Sequence, residues 1–225
     1  YKGAGTVEFL LQDGEFYLLE VNTRLQVEHP VTEEVMNVDL VKMQILTAQG
    51  QFIHDVKQPR IPRGHSIECR IYAENPYMGG VPSTGLLGHI EWPEGPGRRY
   101  EYGFAEGDTI TSHYDPMIAK VIVWDETRSR AIQKMIRVLK DSVVFGVHTN
   151  IPYLIEILSH KEFVMGTMTT RFIDTYFAEP LAEPARTEEE KKIVDAAWIQ
   201  LRGSSAGGAV LAEGRSPWSS YWRGV

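Results

Sequence analysis

Apolar and polar residues near the start of the chain fall into two short strand-like runs. Thr6-Val-Glu-Phe-Leu-Leu11 and Glu15-Phe-Tyr-Leu-Leu-Glu-Val-Asn22 are separated by Gln12-Asp13-Gly14, which is hairpin punctuation. From Thr23 to Pro30 the pattern is polar and irregular, which predicts a loop. Helical spacing follows from about Asp39 to Ala48, with Asp39 as N-cap and Gly50 just beyond the end. Lys57 to Gly64 holds two prolines and two arginines and marks a domain boundary. Strand-like stretches then recur at residues 66–73, 87–92, 99–104 and 118–124, and the Gly and Pro clusters between them predict antiparallel pairing. A helix is expected over 127–145, with Ile132, Met135, Ile136, Leu139 and Val143 in one stripe and Gly146 as its stop. A second runs over 150–159, with Asn150 as N-cap and Pro152 in the first turn. Farther on, Thr187 and Glu190 form a capping box ahead of an apolar face made of Ile193, Val194, Ala197, Trp198 and Leu201. Gly203-Ser-Ser-Ala-Gly-Gly208 then reads as a flexible linker. The fold class expected from this order is α+β.

Composition narrows the picture. Of 225 residues, 43% are apolar and 24% charged, which excludes wholesale disorder. The longest apolar runs, such as Val121 to Trp124, fall far short of the ~20 residues a membrane helix needs, so no membrane partner is expected. The net charge of −7 argues against a general nucleic-acid binder. A single cysteine, Cys69, has no partner for an internal disulfide and suits a reducing compartment. The chain opens at Tyr1, without initiator methionine or signal-peptide pattern, and is expected to be a piece of a longer polypeptide.

Two acids stand out in the first strands. Glu8 and Glu20 interrupt apolar runs, where carboxylates are costly unless paired or metal-bound. Parity decides whether they can cooperate. A two-residue Asp13-Gly14 turn pairs Gln12 with Glu15, so paired numbers sum to 27 and Glu8 faces away from Glu20. A three-residue Gln12-Asp13-Gly14 loop gives a sum of 26 instead. Glu8, Glu20 and Asn22 then share a face with Thr6, Leu10, Phe16 and Leu18. Val7, Phe9, Leu11, Tyr17, Leu19 and Val21 form a core face opposite. The three-residue loop is the expectation adopted. Two carboxylates and an amide oxygen on one face would suit a hard cation such as magnesium. The loop that follows, Thr23-Arg-Leu-Gln-Val-Glu-His-Pro30, adds a cation that can clamp an anion and a carboxylate that can act as a base. His29, ahead of a proline, is read as a turn residue without a role.

These residues carry a family likeness. Tyr1-Lys-Gly-Ala-Gly-Thr-Val-Glu-Phe9 and Phe16-Tyr-Leu-Leu-Glu-Val-Asn-Thr-Arg-Leu-Gln-Val-Glu-His-Pro-Val-Thr-Glu33 closely resemble the biotin carboxylase family, the ATP-grasp components of biotin-dependent carboxylases. The likeness continues through Gly64-His-Ser-Ile-Glu-Cys-Arg-Ile-Tyr-Ala-Glu74, Pro82-Ser-Thr-Gly85 and Tyr114-Asp-Pro-Met-Ile-Ala-Lys120, covering about residues 1 to 178. It implies the C-terminal part of an ATP-grasp domain at 1–58 and a biotin carboxylase C-terminal domain, an antiparallel sheet with helices, at 59–180. Residues 181–225 would be a helix and linker toward a following module, and Trp218 and Trp222, if exposed, would pack on a partner surface.

The activity implied is carboxylation of biotin by bicarbonate and ATP through carboxyphosphate, the first half-reaction of an acyl-CoA carboxylase. By motif position, Glu8, Glu20 and Asn22 resemble residues holding two magnesium or manganese ions on the ATP phosphates. Leu10 resembles a position lining the adenine pocket. Glu28 resembles the base that deprotonates bicarbonate, and Arg24 the arginine beside the reacting intermediates. Gln26 and Val27 resemble positions whose backbone meets bicarbonate or biotin. Arg70 resembles a second arginine that stabilises the biotin enolate. Implied partners are a biotin carboxyl carrier domain, a carboxyltransferase component and a second copy in a homodimer, in the cytoplasm or the mitochondrial matrix. Neither the family's glycine-rich phosphate loop nor a biotin-attachment sequence occurs in these residues, so the chain alone is expected to be a poor catalyst.

Overall fold

A computed structural model describes residues 1–51, 61–185 and 187–204. Strands β1 (Thr6–Gln12) and β2 (Glu15–Asn22) form an antiparallel hairpin. Its turn is the two-residue Asp13-Gly14, with φ of 52° and 85°, the double left-handed conformation that this dipeptide favours in tight hairpins. The expected three-residue loop is therefore wrong, because Gln12 pairs with Glu15. The register nevertheless shifts once, between Glu8 and Phe9. Phe9 pairs with Leu18, but Glu8 pairs with Glu20, so Leu19 is an extra residue on β2. This β-bulge changes the pairing sum from 27 to 28 and places Glu8 opposite Glu20.

The bulge also corrects the face assignments. Leu10 pairs with Tyr17 rather than lying beside Phe16 and Leu18, and Phe16 stacks edge-on with Phe9, ring centroids 6.1 Å apart. Among the described residues nothing covers the apolar face predicted as core: Val7 is 50% exposed, Phe9 53% and Leu11 61%.

The segment after β2 contains a helix that the sequence reading did not place, and only its first two residues fall in the expected loop of Thr23 to Pro30. Helix α1 (His29–Met36) takes Pro30 into its first turn, where a missing N–H costs nothing. Asn37 ends it in the left-handed conformation (φ 50°). Helix α2 (Leu40–Ala48) begins as expected: Asp39 caps it, its Oδ1 accepting from the Lys42 N–H at 2.7 Å. Of the expected boundary at Lys57 to Gly64, the first four residues lie outside the described ones.

Strand β3 (His65–Tyr72) comes next, then short strands β4 (Glu74–Asn75), β5 (Val81–Pro82), β6 (Gly85–Leu86) and β7 (His89–Glu91). They are followed by β8 (Arg98–Tyr102), β9 (Thr109–Ile110) and β10 (Met117–Asp125). Helix α3 (Arg128–Asp141) leads to β11 (Val143–Phe145). Helices α4 (Ile151–Ser159), α5 (Lys161–Met165), α6 (Phe172–Tyr176) and α7 (Glu188–Ser204) complete the described chain.

The main sheet has the order β3-β10-β8. Ser66 bonds to Val123 and Ala73 to Pro116, so residue numbers on β3 and β10 run in opposite directions. Trp124 bonds to Gly97 and Gly103 to Ile118, so β8 also opposes β10. The pairs β4-β5, β6-β9 and β7-β11 are antiparallel as well. The α+β class and the antiparallel pairing are thus as the sequence predicts.

Two expectations at helix ends fail. The helix expected to reach Phe145 stops at Asp141, and the β-branched pair Val143-Val144 pairs with β7 instead. Gly146 follows at φ 117°; a Cβ there would stand 1.9 Å from the Leu86 carbonyl oxygen, so only glycine fits. Asn150 precedes α4, but its side chain makes no capping bond to that helix. By contrast, the Thr187–Glu190 capping box forms reciprocally: Thr187 N–H donates to Glu190 Oε2 at 2.7 Å, and Glu190 N–H to Thr187 Oγ1 at 3.2 Å. In α7, Ile193 is 63% exposed. Gly203 and Ser204 are its last residues, and the rest of the expected linker, with Trp218 and Trp222, lies outside the described residues.

By their contacts the described residues fall into two compact units. The first holds Tyr1–Glu68, Gly97–Arg99 and Ile122–Met135; the remainder form the second. The first unit's core is Ile122, Val123, Ala131, Ile132 and Met135, all at most 3% exposed. The second is built on Ile71, Leu87, Ile118, Val121, Val138, Leu139 and Leu158, none more than 2% exposed. No described helix is long and apolar enough to cross a membrane.

Candidate functional site

Strand alternation sends Thr6, Glu8 and Leu10 to one face of β1. The bulge at Leu19 brings Glu20 and Asn22 of β2 to the same face. Side-chain contacts follow from that placement. Asn22 Nδ2 donates to Glu8 Oε1 at 2.6 Å and to Glu20 Oε1 at 3.1 Å. One amide therefore bridges two carboxylates that would otherwise repel each other.

Gln26 adds a second amide, its Nε2 donating to Glu8 Oε1 at 2.7 Å. The sequence reading gave Gln26 only a backbone role, so this contact was missed. His29 holds Gln26 in turn. Its Nδ1–H donates to the Gln26 carbonyl at 2.7 Å, and its backbone N–H reaches the same oxygen at 3.3 Å. The residue set aside as a turn residue thus braces the loop.

Glu28 sits at the N-cap position of α1, exposed, and its side chain does not cap that helix. Its carbonyl accepts from the Val31 N–H at 3.1 Å, which closes the first turn. Arg24 is exposed and donates from Nη1 to the Leu25 carbonyl at 3.2 Å. Leu10 is 39% exposed, and Val27 is half-buried in the loop.

Helix α1 is anchored from elsewhere in the same unit. Buried Glu33 accepts from the Leu40 N–H at 2.6 Å and from Arg99 Nη1 at 2.8 Å. No local pattern pairs Glu33 with an arginine on β8, so this brace was not readable in the sequence.

Oxygen ligands from two carboxylates and one amide are what a hard divalent cation takes; Glu8 and Glu20 supply the carboxylates, whereas the Asn22 amide turns its nitrogen to both and would have to flip to offer its oxygen. The first unit therefore brings together Glu8, Glu20, Asn22 and Gln26, with Arg24, Val27 and Glu28 on the adjoining loop.

Arg70 belongs to the second unit, on β3, half-buried. That unit also has a half-open pocket of about 320 Å³ lined by Glu74, Asn150, Tyr153 and Phe177 among others. It holds none of the site residues predicted from sequence. Burial pushes the Glu74 carboxyl above its ordinary range, reinforced by the neighbouring charge of Asp115, and burial pushes the Tyr153 hydroxyl up.

Comparison with known proteins joins the two regions to one lineage. Residues 1–56 match the carbamoyl-phosphate synthase L chain ATP-binding domain, and residues 68–175 the biotin carboxylase C-terminal domain. The mitochondrial methylcrotonoyl-CoA carboxylase subunit alpha of Glycine max is 43% identical over 200 residues, 88% of this chain and 27% of that one. The biotin carboxylase of Halalkalibacterium halodurans is 48% identical over 179 residues, 78% of this chain and 39% of that one. Among solved structures, the biotin carboxylase domain dimer of Hydrogenobacter thermophilus 2-oxoglutarate carboxylase was determined with MgADP, ADP and bicarbonate. It superposes with a TM-score of 0.75 at 42% identity, over 81% of this chain and 41% of that one. The chain thus spans about a quarter to two-fifths of the length of these relatives.

Proposed function

Because the chain belongs to the biotin carboxylase family, we propose that it contributes the acidic wall and the biotin-side arginine of an ATP-dependent biotin carboxylase. The reaction joins bicarbonate to biotin at the expense of ATP, through carboxyphosphate, as the first half-reaction of an acyl-CoA carboxylase. The observation that carries this reading is the convergence of Glu8, Glu20 and Asn22 on one hairpin face, with Gln26 closing over Glu8.

Glu8, Glu20 and Asn22 would hold two magnesium or manganese ions. Those ions, when bound, supply charge neutralisation on the nucleotide phosphates. Leu10, on the same face, lines the adenine side. Glu28 takes the bicarbonate proton, and the exposure of its carboxylate suits a group that must meet substrate. Arg24 pairs with the anionic intermediates, and its flat guanidinium matches a carboxylate or phosphate edge. Gln26 and Val27 present backbone groups to bicarbonate or biotin. Arg70 stabilises the charge that develops on the biotin ureido oxygen as its nitrogen is deprotonated.

The 1–58, 59–180 and 181–225 division remains the proposed domain plan. A biotin carboxyl carrier domain, a carboxyltransferase component and a second copy of the carboxylase are the proposed partners. The proposed compartment is the cytoplasm or the mitochondrial matrix. A carbamoyl-phosphate synthetase-like activity is the competing ATP-grasp reading. The match of residues 68–175 to a biotin carboxylase domain favours the biotin reaction over it.

The deciding experiment is a bicarbonate-dependent ATPase assay, with and without biotin, on the full-length parent protein and its Glu28→Gln variant. Removal of the base is expected to cost about 10²–10⁴-fold in turnover. A rate within about threefold of the parent would remove Glu28 from that role.

A further inference from the structure

Asn150 stands at the start of α4, yet its side chain is spent on β3. Its Oδ1 accepts from the Tyr72 backbone N–H at 2.9 Å, and its Nδ2 donates to the Arg70 carbonyl at 3.0 Å. Its own backbone N–H donates to the Tyr72 carbonyl at 3.1 Å. Among the described residues β3 is an outer strand of its sheet, in the order β3-β10-β8, so one of its edges has no strand beside it there. Alternate residues of a strand turn their backbone groups to the same side. Arg70 and Tyr72 are such a pair. Asn150 therefore does for this edge what a neighbouring strand would do, supplying donor, acceptor and donor from one residue. The peptide units on both sides of the buried Ile71 are held as a result.

We propose that Asn150 is a positioning residue for Arg70, fixing the backbone from which the guanidinium reaches the biotin-side charge. A long side chain aims no better than its Cα. With the edge unpaired, the Arg70 carbonyl would turn to water and the base of the side chain would swing with it. A misplacement of about 1 Å at a reacting centre can cost up to about 10²-fold in rate. This inference rests on the reading of Arg70 as the biotin-side arginine.

The test compares Asn150→Ala, Asn150→Asp and Arg70→Ala in the full-length parent protein, using free biotin as acceptor. Asn150→Ala removes both side-chain bonds. Asn150→Asp keeps the shape and the acceptor for Tyr72 but sets an oxygen against the Arg70 carbonyl, so it carries the test if the alanine variant fails to fold. Both variants are expected to lower biotin carboxylation about 10- to 100-fold. Bicarbonate-dependent ATP cleavage without biotin is expected to stay within about threefold. The Asn150→Ala and Arg70→Ala double variant should lose little more than Arg70→Ala alone, since the two act as a unit.

Equal losses in both half-reactions, or additive losses in the double variant, would make Asn150 merely structural and overturn the proposal. So would full biotin carboxylation in the Asn150 variants while Arg70→Ala is selectively impaired. If Arg70→Ala itself shows no selective loss, the role of Arg70 fails and the proposal falls with it.

Discussion

The β1–β2 hairpin and strand β10 are made of similar residues and are used in opposite ways. Ile118, Val121, Ile122 and Val123 on β10 are fully buried, whereas Val7, Phe9, Leu18 and Val21 on the hairpin are all at least half exposed. Burial stabilises a structure by about 25 cal/mol per Å² of apolar surface, so within these 225 residues β10 contributes stability where the hairpin contributes little. The hairpin instead contributes placement. Register alone brings Glu8, Glu20 and Asn22 together, and two amides hold Glu8 there. Stability and proposed chemistry are thus housed in different strands, which makes the two separable by substitution.

The largest expected contrast is thermodynamic. Ile122→Ala should lower the opening free energy of β10 by about 2–5 kcal/mol, through lost burial and the cavity it leaves. Leu18→Ser, at a position 62% exposed, should stay within about 0.5 kcal/mol. Hydrogen exchange of the β10 and β2 amides in the 225-residue chain measures both. Comparable losses from the two substitutions would break the comparison.

A smaller effect, but a sharper one, concerns the bulge. Deleting Leu19 would continue the two-residue turn's pairing through the hairpin and still leave Glu8 opposite Glu20, so the acids would share a face without the bulge. In the full-length parent protein, magnesium-dependent nucleotide binding by the deletion variant should then stay within about threefold of the parent, whereas Glu20→Ala, which removes one of the acids, should weaken it at least about tenfold. Leu19→Ala keeps the extra residue and should bind as the parent does. A loss of about tenfold or more in the deletion variant would show that a shared face is not enough and that the bulge itself places the acids.

The bulge also shows how far the sequence could be read. Parity arguments grouped Glu8, Glu20 and Asn22 correctly, yet through the wrong device. Asp-Gly takes a two-residue turn, and the extra residue lies in mid-strand, where no residue type announces it. Periodicity found the buried strands and helices because burial writes a repeating pattern. It missed α1, because Pro30 reads as a breaker unless the first turn is already known to start there. It overran α3 because Val143 keeps helical spacing while pairing as a strand. The contacts joining distant residues, Glu33 with Arg99 and Asn150 with Arg70, leave no local trace. Asn150 misleads outright, since its type and place both suit a cap. The family likeness named the candidate residues of the loop, whereas the bracing by His29 required coordinates.

The smallest effects are expected in two carboxylates whose environments oppose each other. Asp125, buried at the end of β10, accepts a hydrogen bond from Lys134 at 2.9 Å and pairs with Arg130 at 3.0 Å. The Lys134 bond first, then the Glu126 backbone N–H and the two positive charges, hold its carboxyl below the usual range against the opposing effect of burial. Its contribution to stability is therefore complete above the unfolded value of 3.8 and disappears as pH falls through the lower folded value. Glu74 is raised by burial and by Asp115, so its contribution is complete below the unfolded value of 4.5 and is lost as pH rises through the higher folded value. Urea midpoints from about pH 3 to about pH 7 should show opposite trends. The parent's advantage over Asp125→Asn should shrink toward acid, whereas Glu74→Gln should gain on the parent toward neutral pH. Parallel trends would mean that the two sites share one electrostatic environment, and the contrast between a charge-paired strand end and a pocket-lining acid would then be lost.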